Sequence, residues 1–379
     1  MNSRKLFQLL CIACTAVLIT TGCGAKKEKK AATQTTADTL VDAVGRTVLI
    51  PPVVSRVVSP FNMYTRLIVA MGGCDRLSGI SHQCVLPEEE RGCGGELLRL
   101  PDVGEFGMNI ELIASLKPDL IFASQPDVAS FASKTDAAVV AISFSSDLPM
   151  LEMFDRQIDL VGKAMHLQEG AEELKRFIAE TMKPVVSVTS SLPDSVKPKV
   201  YFAWTTWTGD ILNSLYKFDP IELAGGINVA SDAKNFAKNM VRHPQSNSKK
   251  QHGIVVSREH IMNWNPDFIF ISRYQVQEWQ KGGPTQPLSM SIKNILDDPF
   301  MQSVNAVKNR HVYYTTAFCH WWPQQRALVQ VLYMAKLFHP DLFADLDVER
   351  EGNRIFKRFY GEDSLYTELV NDLDLHTWK

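Results

Sequence analysis

Side chains suited to ligand recognition are concentrated in polar segments that follow apolar, strand-like runs. PFNMYTR (60–66) carries Tyr64 and Arg66, and SHQCVLPEEERGCGGE (81–96) carries His82. AWTTWTGD (203–210) carries Trp204 and Trp207, SRYQVQEW (272–279) carries Arg273, Tyr274 and Trp279, and TAFCHWW (316–322) carries His320, Trp321 and Trp322. Broad aromatic faces with polar edges suit an organic chelate or a flat macrocycle. Arg66 and Arg273 could answer acidic oxygens bidentately, although an ion pair within the protein would use them equally well. Tyr64, His82 and His320 are the residues that could approach a chelated metal, since phenol and imidazole suit iron, cobalt, zinc and nickel. Thr205, Thr206, Thr208 and Thr316 keep a compact oxyanion open as a ligand, because hydroxyls bind it without aromatic contact. A bare divalent cation is less suited, as no compact set of His, Asp and Glu stands in these segments.

Enzymatic chemistry has no matching motif. The chain lacks a G-x-S-x-G elbow, an H-E-x-x-H zinc helix, a dinucleotide fingerprint and a G-x-x-x-x-G-K-[ST] phosphate loop. A formal charge of −2, with acids and bases mixed throughout, leaves no nucleic-acid footprint. The reading is a binding protein that is not an enzyme and has no resident cofactor.

Ahead of these segments stands a leader. Residues 1–22 have a basic start (Arg4, Lys5), an apolar run from Leu6 to Ile19 and small residues before Cys23. That run is shorter than the roughly 20 residues needed to cross a bilayer as a helix. The ending Thr20-Thr21-Gly22-Cys23 resembles a bacterial lipoprotein cleavage box, with threonine where an aliphatic residue is usual, and implies a lipid on Cys23. An ordinary signal peptide is the alternative. Residues 23–38, polar and lysine-rich, are expected to be a flexible tether. Four cysteines remain: Cys74, Cys84, Cys93 and Cys319. Export permits disulfides; Cys84 and Cys93 are nearest in sequence, and spacing does not choose the pairing. A zinc site from His82, Cys84 and Cys93 is the other reading of that loop.

The elements that position the candidate residues follow from hydrophobic period. TLVDAVGRTVLIPP reads as a hairpin turning at Gly45. SRVVSP, RLSGIS, DLIFAS and AVVAISF read as short buried strands, with a helix near Tyr64–Met71 and another capped by Asn109. Helical spacing then fills 150–183, after which KVYFAW, DFIFIS and RHVYYTT resume the strand pattern and PQQRALVQVLYMAKLF forms a late helix. One phrase occurs twice: NIELIASLKPDLIFAS at 109 and SREHIMNWNPDFIFIS at 257. Each copy sets a glutamate (Glu111, Glu259) eight residues before an aspartate (Asp119, Asp267) that follows proline. The separation is too long for a solenoid repeat and suits two similar α/β lobes. Within the second copy, Trp264 stands where the first has Leu116, so core packing is its expected role.

VDAVGRTVLIPPVVSRVV, the two copies of the phrase, and VKNRHVYYTT followed by PQQRALVQVLYMAKLFHPDLF together resemble the helix-linked (class III) substrate-binding proteins of bacterial ABC importers. That family serves ferric siderophores, haem, cobalamin and some metal or oxyanion cargo. The resemblance runs from about residue 40 to 360. It implies an α/β fold of two Rossmann-like lobes bridged by one long helix, with the ligand between the lobes. The implied division is an N-terminal lobe over 39–166, a linker helix over 167–192 and a C-terminal lobe over 193–379. It also implies a monomer, lipid-anchored in the cell envelope, that docks Glu111 and Glu259 onto the two subunits of a permease dimer driven by its ATPase. The expected cargo is a metal-organic chelate, a ferric siderophore first, haem or corrinoid second and an oxyanion such as molybdate or tungstate third. A solute-dependent sensor is the alternative use of the same fold.

Overall fold

The computed structural model describes residues 38–83, 85–86, 88–105, 107–143, 148–204, 211–231, 253–272, 291–315, 323–372 and 375, which belong to one compact unit spanning 37–379. The hairpin forms as the alternation predicts: β1 (Asp38–Val41) pairs antiparallel with β2 (Thr47–Ile50), and Gly45 takes φ +83° at the turn. Asp42 closes it by accepting from the amides of Val44 and Arg46 and the Arg46 guanidinium, and it reaches the Ala141 amide of the adjoining sheet.

The first sheet is parallel, in the order β4 (Leu77–Ile80), β3 (Val57–Ser59), β5 (Leu120–Ser124), β6 (Ala138–Ile142). Its strands are near-continuous apolar runs because α1 (Asn62–Ala70), α2 (Ile110–Ser115), α3 (Val128–Lys134) and α4 (Met150–Ala164) leave little of it in water. Every residue of α1 is buried. The second sheet runs β10 (Gly253–Val255), β8 (Asn213–Leu215), β7 (Lys199–Ala203), β11 (Phe268–Ser272), β12 (Val312–Thr315), with β9 (Ile227–Asn228) also on β7. β7, β11 and β12 are parallel; β8 pairs antiparallel with both β7 and β10. Short helices α6 (Asp219–Leu223), α7 (Arg258–Trp264), α8 (Ile292–Leu296) and α9 (Asn305–Lys308) flank it. Trp264 packs into that lobe's core beside Tyr201, as expected.

α5 (Gln168–Thr189) is the long helix between the sheets. At its start Gly170 lies so close to α1 that a Cβ would stand 2.6 Å from the Met71 carbonyl oxygen. At its end the Thr189 hydroxyl donates to Leu223 O at 2.8 Å. A second helix also touches both lobes. α10 (Gln324–Phe338) begins against the first lobe, with Gln324 Nε2 donating to Met63 O at 3.0 Å. It ends in the second, where Phe338 packs on Phe268 and Phe270 and His339 Nε2 meets Gly225 O at 3.0 Å.

Residues 193–379 read in sequence as one lobe, but the last two helices depart from it. α11 (Val348–Tyr360) and α12 (Leu365–Asp372) return to the linker helix and the first lobe. Arg354 lies over the Phe177 ring at 4.7 Å and donates to Thr181, and Arg91 pairs with Glu368 at 2.6 Å. The strongly amphipathic α11 finds on α10 and α1 the apolar cover that its own face requires.

The disulfide joins Cys74 to Cys93. Cys93, Gly94 and Gly95 all take positive φ to bring the loop round. This excludes the zinc set of His82, Cys84 and Cys93, since one of its sulfurs is consumed. No group of three potential metal ligands occurs among the described residues, and no described helix is long and apolar enough to cross a membrane.

Candidate functional site

Two helices start, uncapped and buried, at the C-terminal ends of parallel strands, the end where open α/β sheets bind ligands. α1 follows β3 after Pro60 and Phe61; its first intrahelical bonds run from the Tyr64 and Thr65 amides to Phe61 O, so the amides of Asn62 and Met63 precede them. α10 follows β12, to which it is tied by the Thr315 hydroxyl donating to Gln330 Oε1 at 2.5 Å. Neither helix has a side-chain cap. The Gln324 bond to Met63 O brings the two starts side by side, and Gln157 of α4 stands 3.5 Å from the same Nε2. Unsatisfied amides and the positive end of the helix dipole favour an anion at such a place.

The side chains at this junction point the same way chemically. Asn62 is 4% exposed, yet neither Oδ1 nor Nδ2 has a hydrogen-bond partner. Gln324 Oε1 and Gln325 Oε1 are also buried without one. Leaving such a group unsatisfied costs about 1–3 kcal/mol, so an entire orphaned carboxamide is a poor choice for stability alone.

Directly behind lie two buried ion pairs. Glu88 forks with Arg326, at 2.7 Å to Nε and 2.7 Å to the terminal nitrogen, and also accepts from Gln325 Nε2 at 3.2 Å. Burial pushes the Glu88 carboxyl up, but the charge and hydrogen bonds of Arg326 outweigh it and hold the group below the usual carboxylate range. Its neighbour Glu89 pairs with Arg66 Nε and accepts from the Leu86 amide at 2.7 Å.

Four of the sequence-predicted ligand residues lie in the described structure. Tyr64 and Arg66 are interior. Tyr64 is stacked on Phe122 with ring centroids 5.8 Å apart, and burial raises its hydroxyl pKa far above the ordinary value. Arg66 is 1% exposed and held by Glu89, the internal ion pair that the sequence left open. α1 begins at Asn62, two residues before the helix start read from the sequence, and takes both side chains into a buried helix. His82 is half-buried, its amide bonded to Asp102 and its Nε2 3.0 Å from Leu100 O. Trp204 directly follows β7, half-buried, and lies so close to Gly253 that a Cβ there would meet the indole at 2.7 Å. Trp207, Arg273, Tyr274, Trp279, His320 and Trp321 lie outside the described residues, as does Cys23.

Sequence reasoning missed Asn62, Gln324, Glu88 and Glu89. The available signals were an asparagine directly after a strand and Pro60-Phe61, and a proline-led QQR opening an otherwise apolar helix.

The paired glutamates occupy matching positions. Asn109 caps α2 by accepting from the Leu112 amide at 3.0 Å, and Ser257 caps α7 by accepting from the His260 amide at 3.3 Å. Glu111 and Glu259 are both exposed in the first turn. The Ser257 hydroxyl beside Glu259 holds its carboxyl below the usual range.

Two α/β sheets, a long connecting helix and a polar junction at the strand ends define a two-lobed binding protein. The chain belongs to the periplasmic binding protein family, whose model matches residues 57–317. Such proteins are the substrate-binding components of ABC transporters. The chain is 22% identical to the molybdate-binding protein MolA of Haemophilus influenzae over 354 residues, 85% of this chain and 90% of MolA. The molybdate-bound MolA structure superimposes with a TM-score of 0.64 at 18% identity, covering 86% of this chain and 98% of MolA. Helicobacter pylori CeuE, in a nickel–histidine complex, gives a TM-score of 0.59 at 19% identity over 88% of this chain and 98% of CeuE. The uncharacterized substrate-binding lipoprotein YvrC of Bacillus subtilis is 23% identical over 195 residues, 49% of this chain and 60% of YvrC.

Proposed function

We propose that this substrate-binding protein is a lipid-anchored receptor whose cargo is a compact metal oxyanion of the molybdate class, held at the junction of α1 and α10. The observation that carries this reading is the orphaned, buried carboxamide of Asn62 beside two uncapped helix starts. Amide donors satisfy an oxyanion without a counter-cation, and both arginines nearby are engaged with glutamates. The molybdate cargo of MolA supports the same choice. This ordering places the oxyanion ahead of the ferric siderophore, haem and corrinoid that the aromatic segments suggest. Trp204, half-buried at the end of β7, favours the chelate as the second reading, with Trp207, Arg273, Tyr274, Trp279, His320 and Trp321 as its further contacts.

Delivery is to a permease dimer with its ATPase, which Glu111 and Glu259 engage, and the lipid on Cys23 keeps the receptor at the membrane. Intact-mass analysis of the membrane fraction should find acyl mass on a mature chain beginning at Cys23; a different N-terminus without it would remove the anchor.

Calorimetric titration of the purified protein with molybdate, tungstate, sulfate, a ferric siderophore and haemin tests the cargo. Saturable binding of molybdate or tungstate, weakened by Asn62→Ala, is the expected result. Binding of only the organic complexes, weakened by Trp204→Ala, would replace this reading with the chelate.

A further inference from the structure

We propose that Glu88 and Glu89 are positioning residues that set the size of the anion accepted between α1 and α10. The inference rests on the oxyanion reading of that junction. Two consecutive carboxylates grip two different helices: Glu88 takes Arg326 of α10 and Glu89 takes Arg66 of α1. Each grip is close to an uncapped helix start. Arg66 is one turn beyond Asn62, on the same face of α1, and Arg326 is two residues beyond Gln324.

The gap between the two starts is therefore defined by the step between neighbouring residues on one tight turn. That turn is internally braced. The Glu89 and Glu90 amides both donate to Leu86 O, at 2.8 and 3.3 Å, and the Leu86 amide donates back to Glu89 Oε2 at 2.7 Å. The Cys74–Cys93 disulfide joins the far end of the strap that carries Glu88 and Glu89 to Cys74, four residues past the end of α1, the helix held by Glu89. A bidentate guanidinium–carboxylate fork fixes angle as well as distance, which a single point charge does not.

Buried ion pairs contribute little net stability against an apolar pair of the same volume, and their best-attested use is to fix register. Register is what an anion site needs here. Fixed amides reward one span of oxygens, and molybdate is larger than sulfate. A strap that holds both starts rigidly converts that difference into preference; a slack one lets the gap adapt to either ion.

The test uses the whole mature protein, titrated calorimetrically with sodium molybdate and with sodium sulfate, and melted without ligand. The double variant Glu88→Leu/Arg326→Met replaces the fork with an apolar pair, and Arg326→Lys keeps the charge but loses the fork. Both should melt cooperatively, while molybdate affinity falls about tenfold or more and the molybdate-to-sulfate preference shrinks by a similar factor. A merely structural role would shift melting and leave the preference alone. Folded variants with unchanged affinity and preference would overturn the positioning role. Asn62→Ala separates the two levels. If it weakens molybdate while the fork variants do not, only the positioning inference falls. If wild-type protein binds neither ion, or Asn62→Ala leaves molybdate binding intact, the site reading falls and takes this inference with it.

Discussion

Asp119 and Asp267 perform the same task in the two lobes. Each stands one residue before a strand, β5 or β11, and turns its carboxylate onto the backbone at the start of the neighbouring parallel strand. Asp119 Oδ2 accepts from the amides of Ser55 and Arg56 at 2.8 and 2.9 Å and from the Ser55 hydroxyl at 3.0 Å. Asp267 Oδ2 accepts from the Lys199 amide at 2.9 Å, and its Oδ1 accepts from Asn305. The repeated phrase is thus a complete unit: a capped helix, a left-handed residue (Lys117 or Asn265), a proline, and an aspartate that clasps the sheet.

Replacing Asp119 with alanine removes three charge-assisted bonds, and the loss should be on the order of 1.5–3 kcal/mol per strongly held bond at most, well short of additive. Chemical denaturation should show the larger loss for Asp119→Ala than for Asp267→Ala, which forfeits fewer backbone partners. Equal and negligible losses would show the clasps to be incidental.

Asn62→Leu should separate stability from function. It removes two unsatisfied buried atoms at similar volume, so the melting temperature should rise, by the equivalent of about 1–3 kcal/mol. Molybdate binding should be lost in the same variant. A lower melting temperature together with retained binding would mean that the carboxamide serves the fold.

Reversing Glu111 and Glu259 together to lysine should abolish cargo-dependent stimulation of the partner ATPase in reconstituted vesicles. Cargo affinity should stay within about twofold, since both side chains are exposed and exposed charges contribute little to the folded state. Normal stimulation by the double variant would leave the two glutamates as helix-end charges only.

The Glu88–Arg326 fork has a defined acid limit. Its carboxyl titrates below the ordinary value of 4.5 in the folded protein, so its stabilising contribution is fully present above that value. It is lost as pH falls from there through the folded value. An acid titration followed by fluorescence should therefore reach its midpoint at higher pH for Glu88→Gln than for wild type, because Arg326 then lacks its counter-charge throughout. Coincident midpoints would argue that other carboxylates govern acid unfolding.

Features whose chemistry is local were legible in the sequence. Gly45 in its turn, Asn109 and Ser257 as caps, and the alternation of apolar runs each declare their element within a few residues. The repeated phrase announced two lobes for the same reason. The junction was not legible, because its partners are distant: Glu88 meets Arg326 across 238 positions and Gln324 meets Met63 across 261. The burial of Tyr64 and Arg66 was not legible, because helix α1 starts earlier than its apolar period shows, and a buried arginine is indistinguishable from an exposed one until its glutamate is found. Cys74 was likewise a pairing that only the folded loop selects.

The Gly225 turn gives the two lobe-spanning helices a common anchorage. A Cβ at Gly225 would meet His339, just past α10, at 2.8 Å and Thr189, at the end of α5, at 3.1 Å. At the other side the helices diverge, α10 to Met63 near the start of α1 and α5 to Met71 just past its end. Three stiff members, about 33, 22 and 13 Å long at 1.5 Å per residue, therefore form a closed triangle. A triangle of struts cannot shear; it changes shape only if a member bends or a corner comes apart. What stays free is rotation of the second lobe about the Gly225 corner, so a change on cargo binding is expected as a turn about that corner, with the triangle itself keeping its shape.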